Sequence, residues 1–247
     1  MHTFRTRLSR RSRTSGRIIL ANDYDHTVLS ASLKKHTLKN IRTLHPFLCG
    51  IKLNFHLLLP LGEKEISKIN CTAHEYGLQV IADIKLNDIG NTNRITTQRL
   101  WDMGFDAVIA NPIMGPESLK KLTASAHKQQ HGVISLCHMS APEARIAYDL
   151  KVAQGGKQHL YQMFLEWALS SRVDGIIVGA TFPDIIRYCA EKSQKKLSIF
   201  SPGVGTQGGD PSRTISSGSD YLIVGRTILN DANPKSALEG LHTTITT

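Results

Sequence analysis

From position 18 onward, short apolar runs rich in Ile, Val and Leu alternate with longer segments whose apolar residues recur every three or four positions. The short runs have the character of strands buried on both faces, and the longer ones of helices burying one stripe. Strands are expected over 18–23, 50–54, 79–85, 107–110, 133–137, 175–178, 197–201 and 221–224. Helices are expected over 33–44, 63–76, 92–103, 117–129, 158–171 and 183–191. Gly77, Gly104 and Gly132 each follow a helical stretch where a left-handed closing residue is favoured. The connection 211–218 has room for a turn or two, and Asn233-Pro234 opens a last helix through Leu241.

Alternating β and α segments specify a parallel sheet with helical crossovers. Eight such units in about 230 residues favour a closed (β/α)8 TIM barrel, a single α/β domain over 17–247, above an open doubly wound sheet. The hydrophobic fraction of 40% and the 9 prolines fit a packed globular core. No run of 18 apolar residues occurs, so a soluble, cytoplasmic protein is expected.

Charge changes the picture at one end. Residues 1–16 and Arg17 hold Arg5, Arg7, Arg10, Arg11, Arg13 and Arg17 with no acid, leaving +4 of the formal +10 for the rest. The segment 1–16 is expected to be a basic, disordered N-terminal tail, a composition that suits nonspecific contact with nucleic acid or an anionic membrane. It also has the Arg-rich, acid-free character of a transit peptide, with Met1, Phe4 and Leu8 spaced as a weak apolar stripe. Cys49, Cys71, Cys137 and Cys189 show no Cys-x-x-Cys pairing, which points to reduced thiols. His127 and His131 have the i, i+4 spacing of two helical metal ligands, but no carboxylate or cysteine nearby completes a set, and no metal is expected.

Reacting groups in a barrel come from strand C-terminal ends and the loops that follow. Polar residues gather there: Asp23 after the first strand, Lys52 near the end of the second, Asp83, Lys85 and Asp88 around the end of the third, and Ser140 after the fifth. Alternation puts Val80, Ala82 and Ile84 toward the helices and Asp83 and Lys85 toward the lumen. Buried charges there need partners, and the order Lys52, Asp83, Lys85, Asp88 supplies alternating signs.

A second cluster runs from Ser201 through Pro202, Gly203, Gly205, Gln207 and Gly208 to Asp210, with Gly225-Arg226 after the eighth strand. Its glycines satisfy G-x-G-x-x-G, yet the motif follows the seventh strand and leads to no strand ending in an acid, so a dinucleotide fingerprint is rejected. A phosphate site built from the loops after strands 7 and 8 fits better, with backbone N–H groups and the Arg226 guanidinium as donors.

The stretch Asp83-x-Lys85-x-x-Asp88-Ile89-x-x-Thr92, with Ser201-Pro-Gly-Val-Gly-x-Gln207-Gly-Gly-Asp210 and Val224-Gly-Arg226, resembles the orotidine 5′-phosphate decarboxylases, most of all their compact archaeal form. The likeness runs from about Ile18 to Leu241. It implies conversion of orotidine 5′-phosphate to uridine 5′-phosphate in pyrimidine biosynthesis, without metal or cofactor. It makes Lys52, Asp83, Lys85 and Asp88 catalytic, with Lys85 as proton donor to C6 as carbon dioxide leaves. Asp83 would face the substrate carboxylate, Lys52 the charge network and ribose, and Asp23 the ribose hydroxyls. Ser140 would contact the pyrimidine edge, Gln207 would bridge base and phosphate, and Pro202, Gly203, Gly225 and Arg226 would complete the substrate site. Asp88, Ile89 and Thr92 would reach into the partner subunit's site, which implies a homodimer with composite sites.

Two places depart from the family pattern: Gly90 where proline is more usual, and a loop, 141–156, that matches loosely. The motif Asp-x-Lys-x-x-Asp is shared with metal-dependent keto-sugar-phosphate decarboxylases on the same barrel, which stand as the alternative activity. A non-catalytic barrel binding a phosphate ligand or nucleic acid is the alternative of a different class.

Overall fold

The computed structural model describes residues 3–153 and 158–246. Its first element is a helix, α1 (Phe4–Ser15), followed by β1 (Ile18–Ala21), α2 (Ser30–Leu44), β2 (Gly50–Asn54), α3 (Phe55–Leu58), α4 (Glu63–Glu75) and β3 (Gln79–Leu86). Then come α5 (Gly90–Asp102), β4 (Ala107–Ala110), α6 (Pro116–Lys128), β5 (Gly132–His138), α7 (Ala144–Tyr148), α8 (Leu160–Ser170) and β6 (Gly175–Val178). The chain continues through α9 (Pro183–Ser193), β7 (Ser198–Pro202), α10 (Pro211–Ser216), β8 (Tyr221–Val224), α11 (Arg226–Leu229) and α12 (Pro234–Thr246). The eight strands are parallel and close in sequence order, β8 pairing with β1. This is the (β/α)8 TIM barrel that the alternation implies.

Strand periodicity sorts the core into two layers. Ile18, Leu20, Ile51, Leu53, Val80 and Ala82 join the layer shared with the helices, while Ile19, Ile81, Ile109, Ile134, Leu136 and Phe200 fill the lumen. Three aspartates brace the barrel at its N-terminal end. Asp106, Asp174 and Asp220, each one residue before β4, β6 or β8, accept the backbone N–H of Val80, Val133 and Ile199 on the preceding odd strand, at 2.8, 2.9 and 2.8 Å. His74 and His127 bond to Asp106 and Asp174 at 2.8 and 2.9 Å. His131 instead stacks on Trp101, so the spacing of His127 and His131 serves two packing sites.

The expectation of a disordered tail is overturned for residues 3–15. Phe4 and Leu8 are 1% exposed and belong to the luminal cluster, so α1 seals the N-terminal end of the barrel. Its arginines are bound to the floor: Arg7 to Asp106 at 2.9 Å and to Gln79 at 2.8 Å, Arg11 to the carbonyls of His45 and Leu48, and Arg5 to those of Lys195 and Lys196. The barrel's open end offers apolar surface and unpaired acceptors, and these outweigh the repulsion among the arginines. Gly132 also has a different role from the expected one. Helix α6 is closed by Gln130 at φ +65°, while Gly132 starts β5 and leaves the space that the Phe4 ring occupies. Among the described residues no helix is long and apolar enough to cross a membrane.

Candidate active site

The opposite, C-terminal mouth holds a cavity of about 210 Å³. Lys52 and Asn54 enter it because Ile51 and Leu53 take the alternate positions toward the helices. The register sets Asn54 beside Asp83 and Lys52 beside Ile81, so the two strands deliver opposite charges to one spot. Asp83 Oδ2 accepts from Lys52 Nζ at 2.8 Å, and its Oδ1 accepts from Lys85 Nζ at 2.8 Å. Lys52 Nζ also lies 3.5 Å from Asp23 Oδ1, which accepts from Asn54 Nδ2 at 2.8 Å.

Burial and charge oppose each other at this chain. Burial alone would push the Lys52 pKa down, but the Asp83 and Asp23 carboxylates overcome it and hold the ammonium above its ordinary value. Burial would likewise raise Asp83, yet Lys52 and then Lys85 hold its carboxyl below the usual range. Lysine 85 differs from Lys52 in two respects. Its side chain is 41% exposed to the cavity, and its backbone is left-handed at φ +44° where the pairing of β3 with β4 shifts register between Ala82 and Leu86. Such a conformation in a residue with a Cβ costs about 1–3 kcal/mol, which the neighbouring strand ends must offset.

Across the cavity lie Ser140, Pro202, Gly203, Gln207, Gly225 and Arg226. Gly203 sits at φ +97°, and a Cβ there would press on both Ser140 and the Gln207 Oε1, so these three residues adjoin one another. The loop after β7 is tied to the start of α11 by Thr227, whose Oγ1 donates to Val204 O at 3.0 Å and accepts from Thr206 N at 3.0 Å. Arg226 is exposed and forms no ion pair with a described residue.

Three expected residues stand elsewhere. Asp88, Ile89 and Thr92 are exposed and do not line the cavity of their own protomer. Asp88 is nevertheless held firmly: Asn93 Oδ1 accepts from its N–H and Asn93 Nδ2 donates to its carbonyl at 2.6 Å. Ile89, 73% exposed, has further bare isoleucines in the same region of the chain, Ile95 at 46% and Ile113 at 60%. Sequence reasoning missed Asn54, Thr206 and Thr227. The period-2 rule that selected Lys52 also selects Asn54, whereas Thr227 is marked only by following Arg226.

Residues 16–241 match the model of the orotidine 5′-phosphate decarboxylase / HUMPS family. The chain belongs to that family. It is 33% identical to orotidine 5′-phosphate decarboxylase of Pyrococcus furiosus over 77% of this chain and 82% of that one. With the enzyme of Thermococcus kodakarensis it shares 32% identity over 92% of this chain and 95% of that one. Among solved structures, orotidine 5′-monophosphate decarboxylase from Methanocaldococcus jannaschii, complexed with the inhibitor BMP, superposes with a TM-score of 0.77 at 27% identity, covering 94% and 99% of the two chains. A Toxoplasma gondii structure reaches 0.86 over 99% of this chain and 95% of that one, at 21% identity, a likeness of fold. In this member of the family, Lys52, Asp83 and Lys85, the loop after β7 and the Gly225-Arg226 turn all stand at one mouth of the barrel.

Proposed function

We propose that this chain is a carboxy-lyase that converts orotidine 5′-phosphate to uridine 5′-phosphate in pyrimidine biosynthesis. The observation that carries the reading is the chain of Lys52, Asp83 and Lys85 at 2.8 Å contacts, facing Gly203, Gly225 and Arg226 across one cavity. A phosphate gripped by Arg226 and the backbone of the two loops fixes the far end of the nucleotide. Asp23 takes the ribose hydroxyls with help from Lys52, Ser140 meets the pyrimidine edge, and Gln207, with Pro202 and Gly203 beside it, spans base and phosphate. The carboxylate on C6 then lies toward Asp83 and Lys85.

As the bond from C6 to the carboxylate breaks, its electron pair stays on C6. The Lys85 ammonium stabilises that charge and transfers a proton to the carbon, and the resulting amine recovers a proton from water. The step as written needs neither a metal nor an electron-sink cofactor. Binding energy collected at the phosphate, far from C6, holds the ring in register with Lys85. Two protomers form a homodimer in which Asp88, Ile89 and Thr92 of each complete the other's site, which accounts for their exposure here.

The test is loss of the ultraviolet absorption of orotidine 5′-phosphate, followed with and without a chelator. Turnover that survives chelation supports the reading. Turnover of a keto-sugar phosphate that chelation abolishes would replace it with the metal-dependent activity. Lys85→Ala removes both the proton donor, worth about 10²–10⁴, and a field contribution of about 10²–10³, so its turnover falls roughly 10⁴-fold or further.

A further inference from the structure

We infer that the N-terminal end of the barrel carries a second anion site, fitted to a small ligand bearing two or three phosphates. A cavity of about 610 Å³ lies between α1, the foot of β8 and α12. Arg13, Arg17, Lys195 and His242 border it, and among the described residues Asp220 is its one acidic lining residue. Asp220 already accepts the Ile199 N–H at 2.8 Å.

The other α1 arginines described above have their partners within the protein. The side chains of Arg13, Arg17 and Lys195 do not: each of the three residues is exposed, and no hydrogen bond or ion pair joins these side chains to a described residue. Three permanent cations converging on one hollow repel one another, and a bound polyanion removes that repulsion.

The backbone is bent to bring Lys195 there. Gln194 and Lys195 are consecutive left-handed residues, at φ +47° and +61°, conformations that disfavour any residue with a Cβ. Arg5 holds this turn by donating to Lys195 O at 2.6 Å and Lys196 O at 2.7 Å. On the facing side, the close approach of His242 to Gly16 leaves no space for a Cβ at that glycine, which fixes where Arg17 begins.

Charge and size select the ligand. Arginine forks match phosphate oxygens, and three cations balance a di- or triphosphate better than a single carboxylate. The volume falls within the roughly 300–1,000 Å³ of small-molecule sites. Arg13 is shared with a neighbouring hollow lined by Arg5 and Arg10, which gives an extended anion room to continue.

The experiment is calorimetric titration of the full chain with inorganic tripolyphosphate, in an Arg226→Ala background that weakens the cradle at the other mouth. One site per protomer is expected, weakened about tenfold or more by Arg13→Ser with Arg17→Ser and by added salt. Lys195→Gly should also lower affinity while raising the thermal midpoint, since glycine relaxes φ +61°, a combination that mere damage to the fold would not give. In protein with Arg226 intact, the Arg13/Arg17 pair of substitutions should leave basal turnover unchanged. Absence of binding, or equal binding by the double variant, overturns the inference. It is also overturned if a single-stranded RNA of about 20 nucleotides binds through the same residues roughly tenfold tighter than tripolyphosphate, because the face would then be a nucleic-acid surface.

Discussion

Replacing Phe4 by alanine tests whether α1 is an integral floor of the barrel. The ring is 1% exposed and packs in the luminal cluster against a site where Gly132 makes room for it. Deleting a buried aromatic side chain removes its transfer free energy and leaves a cavity, together about 3–5 kcal/mol. The surrounding residues come from several strands of a closed barrel, which limits collapse into the gap and favours the upper part of that range. Arg10→Ala on the exposed side of the same helix should stay within about 0.5 kcal/mol. Urea unfolding at fixed protomer concentration would measure both, with turnover recorded below the transition. The cavity holding Lys52, Asp83 and Lys85 is at the other end, so kcat/KM of Phe4→Ala should remain within about twofold while the midpoint drops. A loss below about 1 kcal/mol for Phe4→Ala would refute the docked helix and restore a solvated tail.

Mixing Lys85→Ala subunits with Asp88→Ala subunits should restore about a quarter of the wild-type sites in a freely exchanging dimer, each heterodimer holding one intact site; freely exchanging mixtures that recover no activity would place Asp88 in its own protomer's site. Because the Asp83 carboxyl is held below its ordinary 3.8, its contribution to stability is present above that value and is lost as pH falls through the depressed one. The stability gap between the wild type and Asp83→Asn should therefore be widest near neutrality and close in acid, and a gap independent of pH in urea titrations would contradict the pairing. Gly90→Pro should raise stability by about 0.4–1 kcal/mol, because Gly90 is the first residue of α5 and Ile89, at φ −75° and ψ 163°, already has the backbone that precedes proline; a lowered melting midpoint would count against it.

The eight strands were legible because a parallel barrel buries both faces of each strand, which produces apolar runs too short to be helices. Lys52, Asp83 and Lys85 were legible for the converse reason: charged residues inside such runs have to meet each other. Phe4 and Leu8 were visible as a stripe, but six arginines masked it, since a local reading counts charge and cannot see the carbonyls of Lys195, His45 and Leu48 that receive those arginines. Asp106, Asp174 and Asp220 went unread although each stands one residue before a strand, because their task is set by the neighbouring strand rather than by their own segment. Gly132 was misassigned on the same ground, its missing side chain answering to Phe4 far away in sequence.

The left-handed backbone of Lys85 makes position 85 a record of use. At φ +44° glycine or asparagine would sit with less strain than lysine, so stability alone pulls this position away from lysine in every generation. On the proposed mechanism, the demand for an amino group at that point is what opposes the drift. In lineages that keep the barrel but abandon the chemistry, residue 85 should be among the first to relax, ahead of the buried Lys52, whose loss would deprive two carboxylates, Asp83 and Asp23, of an ammonium partner rather than one.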